Sequence, residues 1–240
     1  MAMSDEPRRR LEREGALFFG AVGAGLSHEL SNVFNIINEL SGLQQDILAT
    51  AAQESTTGLA RVVDLATRIK NQIIRGEEIN RCLHHLSHTV DKEETTFDLG
   101  EKLALLGSLV ARAARLAEVE LSVRPPESPI AHLGDPFALL LALHGCVMTA
   151  IKAAASERRI DIWSEPEADG VRVIVRSADP MPQLESDTPA AAAIDAGCAA
   201  LSVVPRLEPA SEGGHRIVLV LNGVSTETAS GDVNDSESED

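Results

Sequence analysis

The chain opens on a long helical pattern. From about Leu11 to Thr50, Phe19, Leu26, Val33, Leu40 and Ile47 recur every seven residues, and Leu30 and Ile37 fill a second seam between them. Ser55-Thr56-Thr57-Gly58 interrupts the pattern with turn chemistry. A second run then places Val62, Ile69, Leu83 and Val90 on one seam and Leu65, Ile79 and Leu86 on the other, loosened by Gln72 and Gly76. Two long helices joined by a short turn predict an antiparallel hairpin over residues 11–92. A lone hairpin leaves one side of each apolar stripe bare, so the pattern also predicts a homodimer whose hairpins pair into a four-helix bundle.

After a Lys-, Glu- and Thr-rich linker at residues 91–96 the pattern changes. Helices are predicted over residues 99–117 and 137–155, the second opened by Asp135-Pro136 as cap and first turn. Strands are predicted at 119–123, 159–163, 171–176 and 216–221, and Pro125, Pro126 and Pro129 impose an extended connection. An alanine-rich helix at 190–200 and a short strand at 201–204 fall before the last of these. Gly170 and Gly213-Gly214 mark hairpin turns. Residues 97–222 thus read as a second domain with helices on one face of a sheet, and the whole chain as α+β. Residues 223–240 carry Asp and Glu but no Lys or Arg and read as a disordered acidic tail.

Composition narrows the function classes. Of 240 residues, 37 are acidic and 21 basic, a net charge of -16 that leaves no basic face for a phosphate backbone. Five Phe, one Trp and no Tyr supply few platforms for base stacking, so no nucleic-acid partner is expected. No unbroken apolar stretch reaches the roughly 18 residues of a membrane span, so no membrane partner is expected either. Cys82, Cys146 and Cys198 are scattered and lack metal or disulfide spacing, which points to a reducing cytoplasm.

One residue stands apart on the first helix. With Leu30 and Val33 pointing inward, His28 falls at the heptad position most remote from the seam. It is an exposed, titratable nucleophile on a rigid helix. Glu29 is placed to accept a proton or orient the imidazole, and Asn32, one turn on, to position a water or a phosphoryl oxygen. His84, His85 and His88 read as exposed helix residues, with no metal expected. His144 and Cys146 read as core residues of the 137–155 helix, and Trp163 as a packing residue. Arg158 and Arg159 read as a solvated helix end, with a docking patch as the alternative.

Ser27-His28-Glu29-Leu30-Ser31-Asn32, followed by Val33-Phe34-Asn35-Ile36-Ile37, resembles the phosphoacceptor box of two-component sensor histidine kinases. In order after it, Glu77 to Leu86 is similar to the end of that family's second dimerisation helix. Phe97-Asp98-Leu99 is similar to the start of its ATP-binding domain, and Leu133-Gly134-Asp135-Pro136 with Leu139-Leu140-Leu141 to the start of its nucleotide-binding helix. The resemblance implies His28 as phosphoacceptor, Glu29 as its acid/base partner and Asn32 as support for dephosphorylating a receiver domain. Val33 stands where family members usually carry a helix-bending Pro.

The second half departs further from that pattern. Thr149 stands where the metal-binding Asn is expected, and Ser177 where the adenine-contacting Asp is expected. Ser177-Ala178-Asp179-Pro180-Met181-Pro182 lacks both glycines of the phosphate loop, and Asp195-Ala196-Gly197-Cys198 has a single glycine where a lid needs several. The resemblance therefore implies a histidine phosphotransferase built on a degenerate kinase core. It would bind no ATP or other cofactor and pass phosphate between response-regulator receivers through His28. A pseudokinase scaffold and a receiver phosphatase working through Asn32 are the alternatives.

Overall fold

In a computed structural model the described residues are 5–50, 56–91, 94–184, 187–222 and 224–225. Helix α1 (Asp5–Thr50) and helix α2 (Thr56–Ser87) form the expected antiparallel hairpin. α1 begins before the predicted Leu11 and, at 46 residues, is about 70 Å long. Of the predicted interhelical turn, residue 55 lies outside the described residues and Thr56 to Gly58 already belong to α2. Val33 and Leu40 are almost fully buried, as are Leu65 and Leu86 across the hairpin. Toward its start α1 changes face. Glu14, Gly15, Phe18 and Val22 are buried there, with Phe19 only packed against the core, because the start of the helix lies on the second domain.

A single 3-10 turn (His88–Val90) leads out of the hairpin. Strand β1 (Thr95–Asp98), helix α3 (Leu99–Leu116), strands β2 (Glu120–Arg124) and β3 (Ala131–Gly134), and helix α4 (Pro136–Ala153) follow. Then come β4 (Arg159–Glu167), β5 (Gly170–Ser177), helix α5 (Pro189–Ala200), β6 (Arg206–Pro209), β7 (His215–Asn222) and β8 (Val224–Ser225). The main sheet runs β2-β4-β5-β7-β6, with β2 parallel to β4 and every other pair antiparallel. A small antiparallel sheet runs β1-β3-β8. The chain is α+β, as its pattern predicts.

Local chemistry explains the boundaries. Asp135 caps α4 by accepting the N–H groups of Phe137 and Ala138 at 2.8 and 2.9 Å, and Asp98 caps α3 by accepting from Gly100 at 2.8 Å. Gly213 and Gly214, at φ of 91° and 75°, make the β6–β7 turn that only glycine enters freely. The strand expected at residues 201–204 is not there. Ser202 adopts a left-handed φ of 56°, and the Val203 N–H turns back to the Cys198 carbonyl at 2.9 Å, so this apolar run closes α5 and pairing begins at Arg206. The acidic tail lies outside the described residues, except Val224–Ser225, which pair with His132 and Ala131 instead of being disordered.

Pro136–Ala153 is by length and composition apolar enough to cross a membrane, although 72% of it is buried within the protein. Leu139 to Leu143 are all at 0% exposure. A helix apolar all round belongs at the centre of a layer, and α4 has α3, α5, the sheet and the first half of α1 around it.

Candidate functional site

His28 is exposed on α1, on the side away from buried Leu26 and Val33, as helical rotation requires. Its Nδ1 lies 3.2 Å from the Asn32 amide nitrogen. In one tautomer Nδ1 accepts from that amide. In the other Nδ1–H donates to the amide oxygen of a flipped Asn32, and Nε2 turns its lone pair to solvent. Either bond holds the ring on a rigid helix with one face open to a partner.

Glu29 goes elsewhere. Its side chain is only 12% exposed, and its carboxylate accepts from Arg115 of α3 at 2.8 Å and from Arg75 of α2 at 3.4 Å, with Arg112 of α3 at 4.0 Å. The structure thus brings His28 and Asn32 together and commits Glu29 to a three-arginine cluster. The cluster closes one side of a cleft of about 710 Å³ between the hairpin and α3, floored by Val22, Leu26 and Cys82. Nothing local in the sequence marks these arginines, since Arg75 and Arg115 lie 46 and 86 residues from Glu29.

The residues at the expected nucleotide positions are spent on internal bonds. Thr149 is buried and donates its hydroxyl to the Gly145 carbonyl at 3.0 Å. Ser177, fully buried, accepts the Asp179 N–H at 3.2 Å. Asp179 is itself buried, and its carboxylate accepts the Ser156 hydroxyl and the N–H groups of Ala155, Ser156 and Arg158, stapling the loop after α4. α5 then lies directly on α4. A Cβ at Gly145 would come within 2.6 Å of the Ala190 carbonyl, and one at Gly197 within 2.5 Å of the Ala138 carbonyl.

The bonds to Asp179, the Ser156 hydroxyl first and the Ala155 N–H next, hold its carboxyl well below the usual carboxylate range. A group whose folded pKa is depressed stabilises above its unfolded pKa of about 3.9 and loses that contribution as pH falls toward the folded value. The protein is therefore expected to lose thermal stability steadily below about pH 4. Asp179→Asn should be less stable at neutral pH and show a flatter acid limb, both read from melting curves across pH.

The remaining candidates are structural. His84 and His88 pack edge to face at 4.4 Å, and His88 pairs with Asp91 at 2.6 Å. No group of three or more metal-ligating residues occurs among the described residues. His144 packs on Phe18 at 4.8 Å, and burial lowers its pKa to about 4, so it stays neutral. Burial raises the pKa of all three thiols, Cys82 to about 11 and Cys198 to about 12, which leaves them protonated and unreactive. Arg158 and Arg159 are engaged with Glu118 at 2.7 Å and Asp161 at 3.1 Å. Trp163 donates to Glu165 at 2.8 Å beneath the Arg124 guanidinium.

No protein-family model matches the chain, and no curated protein matches it. Among solved structures it is similar to the ATP-binding domain of PrrB from Mycobacterium tuberculosis, at 20% identity over 56% of this chain and 100% of that one, with a TM-score of 0.47. It is also similar to the histidine kinase AdeS of Acinetobacter baumannii, at 16% identity over 80% of this chain and 96% of that one, with a TM-score of 0.44. The cytoplasmic segment of the histidine kinase QseC matches at 16% identity over 66% of this chain and 93% of that one, with a TM-score of 0.42. Scores this low carry no weight for function, which has to come from the chain's own residues.

Proposed function

We propose that this chain is a histidine phosphotransfer protein of a two-component phosphorelay. His28 takes a phosphoryl group from the aspartate of one receiver domain and gives it to another, without ATP. The observation that carries the reading is an exposed imidazole steadied by Asn32 on a rigid helix, within a box that resembles a phosphoacceptor site. It is supported by the use of Thr149, Ser177 and Asp179 for internal bonds and by the close seating of α5 on α4, where the resemblance would put a nucleotide. In the transfer, the imidazole Nε2 attacks phosphorus, the bond to the receiver carboxylate breaks, and that carboxylate departs as a free aspartate.

The test is phosphotransfer in the absence of ATP. Purified chain is mixed with a panel of phosphorylated receivers, and acid-labile label is sought on the protein. Label that requires His28 supports the relay. Receivers that keep their phosphate while binding the chain point to a scaffold. Receivers that lose phosphate with no label on the chain point to a phosphatase, a second reading favoured by Asn32 being exposed beside His28 while Glu29 is bound elsewhere.

The same reading includes a homodimer. Phe34 and Leu48 on α1 and Leu59 and Val63 on α2 are 58–67% exposed, a large apolar area to leave in water. Sedimentation is expected to give twice the mass of 25.5 kDa, and Phe34→Asp with Leu48→Asp to give the single mass.

A further inference from the structure

The arginine cluster around Glu29 joins three helices at one carboxylate. Glu29 sits on α1 next to His28, Arg75 comes from α2, and Arg112 and Arg115 come from α3, the first helix of the second domain. The Glu29 end is mostly desolvated, whereas Arg75 and Arg115 are 43% and 58% exposed. A mostly buried carboxylate stays ionised only where cations and donors surround it. Its orientation is therefore decided by where the arginines are, and two of the three are carried by α3. Its neighbour His28 is left with Asn32 as its partner at 3.2 Å.

We infer that Arg112 and Arg115 are positioning residues for His28: seated on the hairpin, they draw the Glu29 carboxylate into the bridge and withhold it from the imidazole. When α3 lifts away, Glu29 keeps only Arg75, at the longer of its two hydrogen-bond distances, and turns toward the Nδ1–H of His28. Glu29 then holds the proton on Nδ1 and leaves the Nε2 lone pair free. The seating of the second domain thereby sets the imidazole tautomer at the phosphoacceptor. The functional weight of this inference rests on reading His28 as that acceptor; its geometry does not.

The experiment reads the tautomer directly in the full chain by long-range 1H–15N spectra of His28, with neither receiver nor phosphate present. They are recorded at about pH 8.5, well above the ordinary imidazole pKa of about 6.5. Glu29→Gln alone is expected to leave the His28 signature unchanged, because the carboxylate is already committed. Arg112→Ala with Arg115→Ala is expected to shift it toward the Nδ1-protonated form, and adding Glu29→Gln to that pair should reverse the shift. Arg112→Lys with Arg115→Lys should restore the native signature. Arg115 is exposed and Arg112 half-buried, and circular dichroism checks that each variant is folded. An unchanged signature in the folded alanine pair, or a shift that survives Glu29→Gln, overturns the inference. A failed relay assay with a positive tautomer result removes the proposed function and leaves the positioning intact; the converse removes only the positioning.

Discussion

Alanine in place of His28 is expected to reduce acid-labile label on the protein to background in the phosphotransfer assay. A covalent relay has no partial version: without the imidazole there is no atom to carry the phosphoryl group between two aspartates. Folding should be unaffected, since His28 is exposed and its side-chain hydrogen bond is to Asn32 on the same helix. Asn32→Ala is the graded counterpart. It frees the ring to rotate without removing the nucleophile, so transfer should slow by up to about 10²-fold, the cost of a misplaced reacting group. Receiver dephosphorylation separates the two chemistries. If phosphate leaves the receivers at the native rate with His28→Ala and stops with Asn32→Ala, the chain is a phosphatase and His28 is a bystander.

Large effects on stability are expected where α5 meets α4. Gly197→Ala would put a methyl group 2.5 Å from the Ala138 carbonyl and 2.8 Å from the Ala142 Cβ, and Gly145→Ala would put one 2.6 Å from the Ala190 carbonyl. Both carbonyls belong to helix backbone and cannot swing aside, so the helices must separate. Overpacking of this kind costs about 1–3 kcal/mol per site, a fall in Tm of about 2–4 °C for each kcal/mol in a chain of this size. Denaturant titration of each variant measures it directly. By contrast, Gly20, Gly23 and Gly42 of α1 have open space at the Cβ position. Alanine there should stabilise the helix slightly, by up to about 1 kcal/mol.

The parts of the structure that could be read in advance are those governed by near neighbours. The spacing of Leu26, Val33 and Leu40 defines the buried face of α1 and, with it, the exposure of His28 and Asn32. Asp135-Pro136 announces a capped helix through two hydrogen bonds that span three residues. Contacts made across the chain were not legible. Leu201, Val203 and Val204 look like a strand by residue type, and only the backbone turn at Ser202 shows them closing a helix. Glu29 lies beside the imidazole in sequence, yet its partners come from two other helices. The switch of buried face at Phe18 and Val22 is another such case, since it follows from α1 meeting Phe137 and His144 of α4. Nor does the sequence mark Asp179, whose bonds reach the loop at Ala155 and Ser156, 24 and 23 residues earlier.

The double seating of α1 governs how the molecule can be taken apart. Its later half is covered by α2, but its first half is covered by α4 and α5, through Phe18 on Phe137, Gly15 against the same ring, and Arg10 on Asp195. A fragment ending near residue 92 would keep His28 while stripping Phe137 and His144 from Phe18. Such a piece would carry a sticky apolar flank that the intact protein never shows. His28 is therefore best studied in the whole chain, and any minimal version of it should supply new polar residues along that flank.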